Sequence, residues 1–152
     1  LAITQAMCTS FKRDILEGKH AFFTTVIRAS TAADVFYMAL YTSAATLNAD
    51  TTAYTASNEV ANGNGYITGG KILTLYAIST TGSPSYSAQL SFVDLTWTSA
   101  SFTAYGALIY NSTQSNKAVG VLSFGADKTA TAGNFTVRFP AHGGGSEIIR
   151  IT

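Results

Sequence analysis

Two hydrophobic rhythms divide the chain near residue 20. Before it, Met7, Cys8, Phe11, Ile15 and Leu16 recur at helical spacing, while Lys12, Arg13, Asp14 and Glu17 take much of the other side, the pattern of an amphipathic helix. The predicted helix spans residues 4–17, with Thr4 as its cap and Gly18 as its stop, because glycine accepts the left-handed conformation that ends helices. After residue 20 the grammar becomes one of strands and turns. Segments 21–27 (AFFTTVI), 34–41 (DVFYMALY), 71–79 (KILTLYAIS), 86–92, 94–98, 102–110, 118–124, 135–139 and 147–151 are predicted strands, rich in β-branched and aromatic residues. Turn-forming stretches separate them: 48–70, ending in NGNGYITGG; TTGSPS at 80–85; NSTQSNK at 111–117; GADKTATAG at 125–133; and HGGGS at 142–146.

Short strands with turn signals every roughly 8 to 12 residues, and no intervening helices, predict an all-β fold. The expected form is an antiparallel β-sandwich of jelly-roll type with one N-terminal α-helix. No internal repeat and no proline-rich linker divides the chain, so residues 1–152 are expected to form one domain, helix first and strands from 21 to 152. A chain of 152 residues buries enough surface for one core without metal or disulfide support.

Composition narrows the function classes. Charged residues are 11% of the chain, against roughly 25% in ordinary soluble domains. Nine Lys and Arg face eight Asp and Glu, spread without runs, and without a dense basic patch no nucleic-acid partner is expected. No apolar stretch reaches the roughly 20 residues that span a bilayer, so no membrane partner is expected. The opening LAITQAMCTSFKRD lacks the basic start and apolar run of a secretory signal. The single cysteine, Cys8, excludes an internal disulfide, and together these features suit synthesis in a reducing cytoplasm. A surface of Ser, Thr and aromatics costs little to desolvate, because few ions must lose their water, which favours assembly with other subunits.

Candidate chemistry is sparse. Residues 65–71 (GYITGGK) match the front of a phosphate-binding loop, but Ile72 stands where Ser or Thr would bind magnesium, and ILTLYA alternates as a strand where a helix is required. The two histidines, His20 and His142, lack metal-ligand spacing and are expected in exposed loops. A serine–histidine–acid set built only in space, with His142, stays open. The scattered acids are expected at turns and on the surface, and Asn111-Ser-Thr and Asn134-Phe-Thr match glycosylation sequons by chance. No cofactor, no metal and no catalytic residue is therefore expected.

The middle of the chain carries a resemblance. Ala39-Leu40-Tyr41-Thr42-Ser43, Ala53-Tyr54, Asn58-Glu59-Val60, Gly65-Tyr66 and Gly69-Gly70, followed by GALIYNST (106–113) and KAVGVLSFGADKTATAGNFTVRFP (117–140), resemble a family of small tailed-bacteriophage virion proteins. The likeness covers residues 34–151 in order. It implies a non-enzymatic structural protein of the virion, most simply a capsid decoration (cement) protein on the outer shell. Such a protein is made in the host bacterial cytoplasm and binds the major capsid protein and its own copies as a homo-dimer or homo-trimer. The alternatives are a tail, baseplate or fibre component that recognises a host glycan and, third, a cell-wall hydrolase. AFFTTVIRAST (21–31) departs from the family pattern and is either one more core strand or an added contact; the helix is either a cover for the core or a docking arm. The expected interface anchors are Phe11, Phe22, Phe23, Tyr37 and Tyr41.

Overall fold

A computed structural model describes residues 2–22, 32–81, 87–143 and 145–151. The chain is mostly β, with two antiparallel sheets and one helix, as the hydrophobic pattern predicts. In chain order the elements are β1 (Ala6–Met7), α1 (Thr9–Leu16), β2 (Phe36–Tyr41), β3 (Lys71–Ile72), β4 (Leu75–Thr81), β5 (Ser87–Phe92), β6 (Leu95–Asn111), β7 (Lys117–Val137) and β8 (Ile149–Ile151). One sheet has the order β1-β7-β6-β2-β3 and the other β4-β5-β8. The described strands thus divide five to three, and this order gives no support to the jelly-roll connectivity.

The larger sheet is built on one long hairpin. β6 and β7 pair from Leu95↔Val137 to Asn111↔Lys117, closing at the predicted NSTQSNK turn. Each was expected as two strands, and GADKTATAG was expected as a turn between the halves of β7. It is strand instead. Register shifts accommodate it: residues 124–127 stand opposite the single Tyr105, between the pairs Ala104↔Lys128 and Gly106↔Ser123. Such bulges let a strand bend without ending.

Alternation along β2 separates two apolar faces. Phe36, Met38 and Leu40 point toward the smaller sheet, where the Phe36 ring lies 6.4 Å from Phe92 of β5. Tyr37, Ala39 and Tyr41 point the other way. Because both faces are apolar, both must be covered. The inner face packs on the smaller sheet through Leu90, Phe92 and Ile149, and on α1 through Phe11. On the outer side Tyr54 stacks on Tyr110, the cross-strand partner of Tyr37, and Ile3, Ala45 and Leu47 are buried with it.

Besides the longer connection from β7 to β8, two short chain passages join the sheets. β3 crosses into β4 through Leu73 and Thr74, and β5 crosses into β6 through Val93 and Asp94. The crossings run side by side, Val93 N donating to Thr74 O at 2.9 Å. Corners of this kind let one strand serve both layers of a sandwich.

The helix is shorter than predicted. It begins at Thr9, after the two paired residues of β1, and Cys8 occupies the cap without a side-chain bond. Thr4 instead gives its amide to Leu47 O at 2.8 Å, and the edge of β7 pairs with Ala6 and Met7, which the expected helix included. Gly18 does end the helix, with φ +70°. The predicted strand 21–27 lies outside the described residues beyond Phe22, as do most of the TTGSPS turn and Tyr86.

Candidate functional site

The glycine-rich segment organises itself around Glu59. The connection from β2 to β3, residues 42–70, forms isolated bridges and turns, and Glu59 fixes it to the sheet. Its Oε1 accepts from Tyr66 OH at 2.5 Å and from Gly69 N at 2.7 Å, and its Oε2 accepts from Tyr54 OH at 2.7 Å. The Tyr66 hydroxyl in turn accepts from Leu40 N at 2.9 Å, and Tyr110 OH donates to Gly69 O at 2.7 Å. Burial, with the Glu59 charge behind it, pushes the Tyr54 and Tyr66 phenols well above their ordinary range and Tyr110 up to about 12. All therefore stay protonated and act as donors.

This knot also disposes of the phosphate-loop match. The Gly69 amide belongs to Glu59, and the Gly70 amide donates to Ile67 O at 2.9 Å. Lys71 Nζ donates to Thr96 O at 2.5 Å. Gly70 is glycine for a local reason: at φ +80° its missing Cβ would stand 1.9 Å from Met38 O. Tyr41, Tyr54, Glu59, Tyr66, Gly69 and Gly70 meet here, and what they do is hold a long connection against a sheet.

A second polar cluster lies beneath α1, where the sequence pattern placed solvent. Asp14 is fully buried, as is Asn111. The signal was present in the spacing, since Asp14 follows Phe11 by three residues and so shares its face. Asn111 Oδ1 accepts from Thr113 N at 3.1 Å and Gln114 N at 3.2 Å, which fixes its amide group. Its Nδ2 then donates to Asp34 Oδ2 at 2.7 Å and to His20 Nδ1 at 3.0 Å. The His20 side chain is wholly enclosed, against the exposed loop position expected of it, and its Nε2 lies 3.8 Å from Asp14 Oδ2. Lys19 and Lys117 approach Asp14 to 3.4 Å and Arg13 to 3.2 Å. Burial pushes the Asp14 carboxyl up, but these cations outweigh it and hold the group below its ordinary value. Burial pushes His20 down, with Asp14 and Asp34 opposing and Lys117 and Lys19 assisting. Burial of Asn111 also removes the first sequon from any modifying enzyme.

The third cluster involves the second histidine, which is half-buried rather than exposed. Ser91 Oγ and His142 Nδ1 are 3.1 Å apart. Among the described residues no carboxylate hydrogen-bonds His142. Glu147, also expected at the surface, is buried and accepts from Gly143 N at 2.6 Å and Gly145 N at 3.3 Å. With the Gln89 amide oriented nitrogen-inward, Gln89 donates to both Glu147 oxygens. Burial would raise the Glu147 carboxyl, but backbone amides at its own position, Gly145 and Gly143 together hold it low. The glycine amides that would cradle a developing oxyanion are thus filled by the chain's own carboxylate. Ser91 itself is buried in β5. The cluster holds His142, Gly143 and Gly145 over the outer face of the smaller sheet.

Of the expected interface anchors, Phe11 and Tyr41 are enclosed by the core and present no surface. Phe22 stacks on Phe36 at 4.3 Å, Tyr37 is half-buried beside Tyr110, and Phe23 lies outside the described residues. The exposed large side chains are others, led by Ile67, Tyr76, Ile72 and Ile151. Two cavities adjoin at the open side of the sandwich. One of about 310 Å³ is lined by Leu122, Phe124, Phe135, Val137 and Phe139. The other, of about 240 Å³, lies beside β1 and shares Gln5, Leu122 and Ile148 with the first. Beyond Val121 no described strand pairs with the outer edge of β7. Among the described residues no group of three or more His, Cys, Asp or Glu is placed to hold a metal, and no helix is long and apolar enough to cross a membrane. No family model, curated protein or solved structure matches the chain.

Proposed function

We propose that this chain is a structural protein of a tailed-bacteriophage virion, a capsid decoration protein that binds between major capsid subunits and stabilises the shell. The observation that supports the reading is that the first part of the resembling stretch, from Tyr41 to Gly70, builds one packing unit, the Glu59 knot on the β2–β6 sheet, while its later runs form the β6–β7 hairpin. A likeness concentrated in residues that build a fold, and in none that would act on a substrate, suits a protein whose work is to occupy a place.

The mechanism is mass action. A protein that binds the assembled lattice and not its free subunits lowers the free energy of the lattice, by an amount that grows with its concentration over its dissociation constant. The open edge of β7 and the apolar seam beside it are the natural receiving surface for an extended segment of the capsid protein, since an unpaired strand edge takes main-chain hydrogen bonds and the seam takes alternate side chains. Only 11% of residues are charged, which keeps the cost of desolvating that surface low. Copies arranged as dimers or trimers would match local shell symmetry.

Copy number tests this. Quantitative mass spectrometry of purified virions against the major capsid protein is expected to give a simple ratio spread over the shell. A handful of copies per particle would overturn the decoration role and move the protein to the tail, where a glycan-binding part belongs.

A further inference from the structure

We propose that His20 is an acid-sensitive latch: neutral, it holds α1 and the strap that follows it against the end of the β6–β7 hairpin, and protonated, it releases them while the two sheets stay folded. This does not depend on the virion role.

The geometry fixes the protonation state that the docked arm requires. Asn111 is tied at Oδ1 by two backbone amides of the hairpin turn, so it can offer His20 only its N–H. His20 Nδ1 must therefore be an acceptor, and in the neutral ring the proton must sit on Nε2, facing Asp14 Oδ2. A second proton on Nδ1 would set two donors against each other at 3.0 Å. Asn111 cannot turn over to relieve this without orphaning the amides of Thr113 and Gln114. The ring is packed among Phe11 at 4.9 Å, Phe22 and Phe36.

The surrounding charges do not rescue the imidazolium. From α1 comes Asp14, with Arg13 bound to it; from the segment after the helix, Lys19; from the strand start before β2, Asp34; from the first residue of β7, Lys117. Glu17, at the surface, pairs with Lys19 and Arg13. Asp14 is thus already answered by three cations, and Asp34 by the Asn111 amide, the Ala21 amide at 2.9 Å and Gln114. A further positive charge would enter a site whose two carboxylates already hold these partners, Asp14 Oδ2, which faces the ring, being the oxygen that accepts no hydrogen bond.

What it would release is local. Residues 9–22 attach to the body through the side chains of Phe11, Asp14, His20 and Phe22 and through backbone bonds at their two ends, Thr9 to Ala49 and Ala21 to Asp34, whereas the sheets are held by their own ladders and by the Glu59 knot, none of which contains a histidine. An undocked His20 titrates near the ordinary value of 6.5. Opening should then become about thirtyfold more favourable on going from pH 7.5 to pH 5, since only the open arm takes the proton.

Hydrogen exchange on the full chain, corrected for the intrinsic pH dependence of the rates, measures this directly. The amides of Lys12, Glu17 and Lys19, which donate to Cys8, Arg13 and Asp14 carbonyls, report on the arm; those of Val60 and Leu73 report on the sheets. The expected result is a fall in protection of about thirtyfold in the arm with the sheet amides unchanged. His20→Gln should abolish the fall, and His142→Gln should leave it intact. If His20→Gln does not fold, the nitrogen shifts of His20 in the native chain serve instead, and they should show the Nε2–H tautomer at pH 7.5. Protection that holds at pH 5, arm and sheets opening together, or an Nδ1–H tautomer at neutral pH would each overturn the latch.

Discussion

Tyr66→Phe removes one oxygen atom and almost no volume, so it isolates what the Glu59 knot contributes. The lost hydroxyl does two things at once. It accepts the Leu40 amide, which faces away from β6 and has no other acceptor in its ladder, and it donates to Glu59 Oε1. Leaving a buried amide without a partner costs about 1–3 kcal/mol, and a hydrogen bond to a charged group is worth about 1.5–3 kcal/mol net. Glu59 keeps its bonds from Tyr54 and Gly69 and is only half-buried, so water recovers part of the second amount. The expected loss is about 3 kcal/mol, a fall in Tm of roughly 6–12 °C for a chain of this length. Urea unfolding should show a lower midpoint with an unchanged slope, because the surface exposed on unfolding is the same. Tyr76→Phe is the matched control: its ring is 66% exposed, and its change should stay within about 0.5 kcal/mol. A loss below about 1 kcal/mol for Tyr66→Phe would refute the reasoning, since it would mean that neither the amide nor the carboxylate depended on that oxygen.

Three further outcomes follow from the same structure. Gly70→Ala forces a Cβ onto the Met38 carbonyl at positive φ and should cost more than about 2 kcal/mol in urea unfolding, whereas Gly63→Ala, with open space around it, should show the smaller cost of backbone strain alone. The Asp14 carboxyl sits below its ordinary value, so its contribution is complete above about pH 3.8 and is lost as pH falls through the folded value; His20 is depressed too, and its contribution is lost below about 6.5. Urea midpoints from pH 8 to 3 should therefore descend in two stages, and Asp14→Asn should shrink the lower one, to which Glu147 also contributes; a single stage would contradict this. Cys8 is buried and its thiol is pushed up to about 11, so alkylation at pH 8 should be slow in the native chain and fast in urea, followed by intact mass.

The sequence disclosed the fold class through period and turn chemistry, and failed where a long-range partner overrode both. DVFYMALY announced β2 because β-branched and aromatic residues fit a pleated surface covered on both sides. GADKTATAG carries every local mark of a turn, yet its backbone finds a ladder on β6, and bulges take up the mismatch. Thr4 has the chemistry of a helix cap, but β7 offers the neighbouring backbone a strand partner first. The clusters were less legible still. Glu59, Tyr54, Tyr66 and Tyr110 span more than 50 positions, and their meeting depends on a connection whose course has no period to betray it. Asp14 carries the charge of a surface residue, but its position three residues after Phe11 sets it on the buried face.

The paired crossings at Leu73–Thr74 and Val93–Asp94 have a mechanical consequence. In a sandwich whose sheets meet only through side chains, a sideways load slips one layer over the other as soon as the packing yields. Here a load applied to either layer is taken up at once by two covalent backbones running through the corner, themselves laced by the bond from Val93 to Thr74. Shear between the layers is therefore resisted at that corner by main chain at close quarters, whereas beside the apolar groove the two layers are tied only by the longer connection from β7 to β8.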